Sequence, residues 1–223
     1  ARGVGGAEAM RQRPRPLLES LAAAPQTPRP SARRREIVAI ASSTGGPMAL
    51  SELIPKLPGN FPVPIVVTQH MPPGFTASFA KRLDGASALK VAEGADGLEL
   101  KPGLVVIAPG ESHLIFRRRN GAVVCELMDA PPVLSVKPSA NIMFSSVLDE
   151  FGGNVLGVIL TGMGRDGADG ALALHERGAR IIAESQETCV VYGMPRAAVE
   201  LGAVDELLPL PEIPGALVRN VGG

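Results

Sequence analysis

The chain alternates short aliphatic runs with stretches whose apolar positions recur at helical spacing, and three of the runs stop at turns of small and polar residues. Ile37-Val38-Ala39-Ile40-Ala41 leads into Ser42-Ser43-Thr44-Gly45-Gly46. Val63-Pro64-Ile65-Val66-Val67-Thr68 leads into Gln69-His70-Met71, and Val155-Leu156-Gly157-Val158-Ile159-Leu160 leads into Thr161-Gly162-Met163-Gly164-Arg165-Asp166. Unbroken runs of this length, rich in Val and Ile, predict strands buried on both faces, the pattern of a parallel sheet. Leu104 to Pro109 and Arg180 to Glu184 predict two more. Helices are expected from Pro47 through Ile54, stopped by Pro58-Gly59, and from Phe75 to Leu83, where Phe75, Phe79 and Leu83 share a stripe. Residues 140–150 and 168–178 also read as helical. One pair of runs breaks the alternation: His113 to Phe116 and Ala122 to Leu127 flank Asn120-Gly121, a strong hairpin turn signal. The fold expected is α/β, a doubly wound, mostly parallel sheet with helices on both faces and one antiparallel hairpin.

In such a sheet the carboxyl ends of the strands share one edge, and that edge carries the binding crevice. Ser43, His70 and Asp166 each follow a run and are expected to converge there. A serine hydroxyl attacks only when a base takes its proton, and an imidazole does so best when a carboxylate holds it in one tautomer. Ser43 also precedes Thr44-Gly45-Gly46 and a helix, a turn where small residues let substrate approach and the helix amino end favours developing negative charge. Plainer readings compete. Ser42, Ser43 and Thr44 suit a helix cap, as do both Asp166 and Asp169, and spacing does not separate the two aspartates. His113 opens the hairpin, and His175 sits in a helix beside Glu176 and Arg177, where a solvated face is expected. A phosphate-binding reading of the Ser42 to Gly46 turn lacks GxGxxG and GxxxxGK[ST], and Gln69-His70 stand where a dinucleotide site wants an acid. The α/β-hydrolase signature GxSxG is absent, and the order Ser, His, Asp differs from that fold's.

Composition narrows the classes. The 223 residues suffice for one generous α/β domain, and with no Trp and a single Tyr the core must be aliphatic. Residues 1–36 hold eight Arg against Glu8, Glu19 and Glu36; of 22 basic and 22 acidic residues this leaves 14 against 19, so the folded part is mildly acidic and a nucleic-acid groove is not expected. Five prolines scattered through residues 1–35 predict a disordered linker, with the domain running over 36–223. No apolar run approaches the roughly 20 residues of a membrane span, so the expectation is a cytoplasmic protein without membrane insertion. Cys125 and Cys189 have neither CxxC spacing nor a neighbouring His, which argues for reduced thiols and against a metal site. No cofactor is expected.

Several ordered motifs then combine. Ile37 through Gly46, Gln69-His70-Met71-Pro72-Pro73-Gly74-Phe75-Thr76, Ala108-Pro109-Gly110, Lys137-Pro138-Ser139, Leu160 through Ala168 and Val191-Tyr192-Gly193-Met194-Pro195-Arg196 together resemble the catalytic domain of the CheB family of chemotaxis protein-glutamate methylesterases. The resemblance covers Glu36 to Leu210. It implies Ser43 as nucleophile, His70 as general base, Asp166 and not Asp169 as the acid, and the backbone N–H of Met163 in the oxyanion hole, with Thr44, Gly45, Gly46 and Tyr192 meeting substrate. It further implies hydrolysis of glutamate γ-methyl esters, and deamidation of glutamines, on the cytoplasmic helices of methylated chemoreceptors. A receiver domain, absent from this chain, would be the regulatory partner. The competing expectation is a catalytically silent interaction or nucleotide-binding module on the same fold. Two positions depart from the family pattern: Ser42 stands where Gly is usual, and Asn141 where Asp is common.

Overall fold

The computed structural model describes residues 34–222, so the linker expected over 1–35 lies outside the described residues except for Arg34 and Arg35. In chain order the strands are β1 (Ile37–Ser42), β2 (Ile65–Gln69), β3 (Lys90–Glu93), β4 (Leu104–Ile107), β5 (His113–Arg119), β6 (Ala122–Met128), β7 (Val155–Ile159), β8 (Arg180–Glu184) and β9 (Glu206–Leu208). The helices are α1 (Gly46–Leu53), α2 (Phe75–Ala86), α3 (Ala140–Phe151), α4 (Ala168–Glu176), α5 (Met194–Glu200) and α6 (Ile213–Val221). A seven-stranded sheet runs in the order β3-β4-β2-β1-β7-β8-β9, and every neighbouring pair is parallel. Strands β5 and β6 form a separate antiparallel ribbon.

Side-chain alternation explains why the central strands are apolar throughout. Strand β1 sends Val38 and Ile40 into a core shared with Leu50 and Leu53 of α1, Phe79 and Leu83 of α2, and Leu217 of α6. Its intervening residues Ile37, Ala39 and Ala41 enter a second core with Phe144 and Val147 of α3, Leu174 of α4, Ala198 of α5 and Phe116 of the ribbon. The turn between β5 and β6 places Asn120 at φ 51° and Gly121 at φ 86°, the pair of positive values that a tight two-residue hairpin requires. The Ser146 hydroxyl pins the ribbon to α3, accepting the Phe116 N–H at 2.6 Å and donating to its carbonyl at 3.2 Å.

Strands β3 and β9 and helices α5 and α6 were not foreseen from the pattern. Both strands lie at sheet edges and are only partly buried, so they carry no apolar run. Pro195 and Pro214 look like helix breakers, yet each occupies the first turn of its helix, where a missing N–H costs nothing. Among the described residues no helix is long and apolar enough to cross a membrane. The chain leaves β1 for β2 on one side and later places β7 on the other, so the strand order reverses at β1. Its carboxyl end therefore opens the crevice that such sheets use for ligands.

Helices α3 and α4 approach closely at Gly170, where a Cβ would stand 2.8 Å from Phe144 Cβ. Alanine normally favours a helix over glycine by about 1 kcal/mol. Here overpacking should win, and Gly170→Ala is expected to lower the unfolding free energy in urea by roughly 1–3 kcal/mol. An unchanged or raised midpoint would show that the two helices can separate freely.

Candidate active site

The parallel register pairs Ser42 with Gln69, which sets the turn after β1 directly beside the end of β2. The His70 N–H donates to the Ser42 carbonyl at 3.0 Å, and the buried Gln69 amide ties the two turns by donating to Ser43 O at 3.0 Å and to His70 O at 2.8 Å. Gln69 Oε1 in turn accepts the Ser42 hydroxyl at 2.7 Å. Ser42 is a strand residue without a positive φ, so a side chain there is accommodated where glycine is usual. The two glycines of this turn have internal reasons. Gly45 has φ 85° and leaves no room beside Val190, and a Cβ on Gly46 would overlap Gln69 Oε1.

His70 Nε2 lies 2.8 Å from Asp166 Oδ2. The ring therefore donates its Nε2 hydrogen to the carboxylate and keeps a lone pair on Nδ1, the reverse of the serine-protease template, where the carboxylate holds Nδ1. Among the described residues no hydrogen bond joins Ser43 Oγ to the ring. Asp166 is buried at the amino end of α3, where its Oδ1 accepts the Ser139 hydroxyl at 2.8 Å and the Asn141 N–H at 3.1 Å. Its Oδ2 also accepts the Ala140 N–H, at 2.6 Å. Burial on its own would raise the pKa. Donation from His70, Ala140, Ser139 and Asn141 outweighs it and holds the carboxyl below its usual value of 3.8. Asn141 returns the contact: its Oδ1 accepts the N–H groups of Gly167 at 3.1 Å and Gly170 at 2.9 Å, at the amino end of α4. Gln69 and Ser139 stand in motifs that carry the family resemblance and Asn141 is a departure from it, but no local pattern gave any of the three a structural role. A polar residue closing an apolar strand, as in Val67-Thr68-Gln69, was the one hint outside the resemblance.

The turn after β7 brings Gly162 under Ser43, so close that a Cβ there would stand 2.9 Å from Ser43 Cβ. Met163 is 74% exposed, and neither its N–H nor that of Thr44 is hydrogen-bonded among the described residues. Both amides are thus free to donate. Met163 and Tyr192 line a groove of about 660 Å³ together with Gly193, Arg196 and Leu201.

The other candidates fall elsewhere. Asp169 is exposed and pairs with Arg165 at 2.8 Å. His113 is buried with both ring nitrogens engaged, Nδ1 accepting Ser139 N–H at 3.0 Å and Nε2 facing Pro131 O at 3.1 Å. His175 is not on a solvated face: it is largely buried against Asp205, 3.3 Å away. Burial pushes the Cys125 thiol up to about 12, and burial together with Glu184 does the same for Cys189, so both stay protonated. Among the described residues no cluster of His, Cys, Asp and Glu could hold a metal ion.

This arrangement has close relatives. A family model described as CheB methylesterase matches residues 38–217. A protein-glutamate methylesterase/protein-glutamine glutaminase of Thermotoga maritima is 45% identical over 214 residues, covering 96% of this chain and 62% of its own length. One of the same name from Agrobacterium fabrum is 51% identical over 195 residues, 86% of this chain and 55% of the relative. The chain thus spans little more than half of these curated relatives. Among solved structures, the Thermotoga maritima CheB methylesterase catalytic domain superposes with a TM-score of 0.81 at 48% identity, covering 83% of this chain and 98% of that one. With the match running from β1 into α6 and the same fold recovered at nearly half identity, this chain belongs to the CheB methylesterase family.

Proposed function

We propose that this chain is a serine hydrolase that demethylates glutamate γ-methyl esters on the cytoplasmic helices of chemoreceptors and deamidates receptor glutamines. The observation that carries the proposal is the His70–Asp166 hydrogen bond, set beside the Ser43 turn at the reversal point of the sheet. Ser43 Oγ attacks the ester carbonyl carbon while its proton passes to His70 Nδ1, the ring nitrogen that Asp166 leaves free. The missing Ser43–His70 bond is then formed in the substrate complex, as is common for catalytic contacts that are loose in the free enzyme. Negative charge develops on the carbonyl oxygen, and the unengaged N–H groups of Met163 and Thr44 are the donors for it. Collapse of the tetrahedral adduct expels the methoxy group, which leaves as methanol with the proton returned by His70. Water then attacks the acyl-enzyme by the same proton route, releasing a glutamate carboxyl and restoring Ser43. With a glutamine side chain the leaving group is ammonia and the other steps are shared.

The direct test is release of labelled methanol from a receptor carrying tritiated methyl esters. Ser43→Ala should lower the rate by a factor on the order of 10⁶, the scale of removing a triad serine, with little change in thermal midpoint because the side chain is only half buried. Unmodified protein that releases no methanol would overturn the proposal.

The acid is tested by a pair of variants. Asp166→Asn should slow turnover by about 10⁴ through loss of tautomer control. It should also destabilise the fold by roughly 1–3 kcal/mol, because an amide nitrogen would confront donors at the α3 amino end. Asp169→Asn should keep its rate, its ion pair being exposed on both sides. The lowered folded pKa of Asp166 fixes the sign of the pH effect: its contribution is present above the unfolded value near 3.8 and is lost as pH falls through the folded value. The stability gap between wild type and Asp166→Asn, followed by urea unfolding, should therefore close on acidification. A crippled Asp169→Asn beside an active Asp166→Asn would reverse the assignment.

A further inference from the structure

Glu184 closes β8 with its side chain fully buried, and no step of the chemistry above uses it. Among the described residues no cation pairs with it. Its Oε2 accepts the Thr161 N–H at 2.8 Å, and its Oε1 accepts the Thr188 hydroxyl at 3.0 Å. Thr188 Oγ1 accepts the Leu210 N–H at 3.0 Å and so ties down the loop that follows β8. Removing a carboxylate from water without a counter-charge is unfavourable by several kcal/mol, and an apolar residue would fill the space more cheaply. What the carboxylate supplies is a strong acceptor at one place, the Thr161 amide.

Thr161 is held at every polar atom it has. Besides the bond to Glu184, its carbonyl accepts the Ser43 N–H at 3.0 Å. Its hydroxyl donates to Thr44 O at 2.9 Å and accepts the Val191 N–H at 3.0 Å. Ser43 and Thr44 carry the nucleophile and one free amide, and the other free amide, Met163, lies two residues beyond Thr161. We infer that Glu184 is a positioning residue for the proposed hydrolysis. By fixing Thr161 it sets the spacing between the Ser43-Thr44 turn and the Gly162-Met163 turn, and so holds nucleophile and oxyanion donors in one geometry. Such donors act on charge that exists only in the transition state, and a misplacement of about 1 Å can cost about 10²-fold in rate. The effect of losing Glu184 therefore falls on kcat and spares KM.

This inference rests on the hydrolase reading, so the kinetics are measured on the same methylated receptor. Glu184→Leu keeps the volume and removes the acceptor; kcat is expected to fall about 10- to 100-fold with KM within about twofold. Glu184→Gln retains an oxygen for the Thr161 N–H and should recover most of that loss. A purely structural role would lower the thermal midpoint without separating kcat from KM. Folded Glu184→Leu with kcat within about threefold of wild type, or Glu184→Gln as impaired as Glu184→Leu, would overturn the inference. If Glu184→Leu does not fold, Glu184→Met, which likewise removes the carboxylate that accepts the Thr161 N–H, decides on the same criterion. An inert wild-type protein sinks the hydrolase reading and this role with it, whereas an active wild type with indifferent variants sinks only the role of Glu184.

Discussion

Before it reaches His70, the Asp166 carboxylate is already gripped by the Ser139 hydroxyl and by the amides of Ala140 and Asn141. Those donors make a buried negative charge tolerable, since the amino end of α3 offers both hydrogen bonds and the favourable end of a helix dipole. They also aim the carboxylate. With Oδ1 and Oδ2 each fixed from the α3 side, the position left on Oδ2 points to the imidazole, and the ring takes the tautomer with its hydrogen on Nε2. Helix α3, the turn before α4 and the end of β2 must all be in place for that bond to exist.

The parallel sheet meets this requirement by sorting its residues along the strands. Toward their amino ends the central strands are aliphatic on both faces. At the carboxyl ends of β1, β2, β7 and β8 the buried residues become polar: Ser42, Thr68 and Gln69, Thr161, and Glu184. Each of these side chains is hydrogen-bonded, as burial demands, and their partners are mostly turn backbones or one another. A polar layer thus lies just beneath the crevice, and the exposed turns take their shape from it.

The aliphatic runs and the turn chemistry made the central strands and most of the helices legible, because burial on two faces and Gly or Pro punctuation leave local marks. Asn120-Gly121 announced the hairpin for the same reason. The edge strands Lys90–Glu93 and Glu206–Leu208 carry little burial and so left none. Ser43, His70 and Asp166 were legible as strand-end residues, but spacing did not separate Asp166 from Asp169, and only the family resemblance pointed to Asp166. The choice depends on the α3 amino end, which lies 26 residues away along the chain at Ala140. The roles of Gln69 and Glu184 were hidden for a related reason: Gln69 bonds the Ser42 hydroxyl and the carbonyls of Ser43 and His70, Glu184 bonds the Thr161 N–H and the Thr188 hydroxyl, and no local residue pattern encodes turns that only the fold brings together.

The exchange between Asn141 and Asp166 has an energetic corollary. Each residue belongs to the start of one helix and satisfies the orphan amides of the other, so neither amino end can fray without leaving buried donors unmatched in its neighbour. Helices α3 and α4 are consequently bound into a single cooperative opening unit, and the amide hydrogens of both should report a common opening free energy in hydrogen exchange. The imidazole's anchor then behaves as an all-or-none element: it is present whenever the pair is closed, and it cannot drift by degrees.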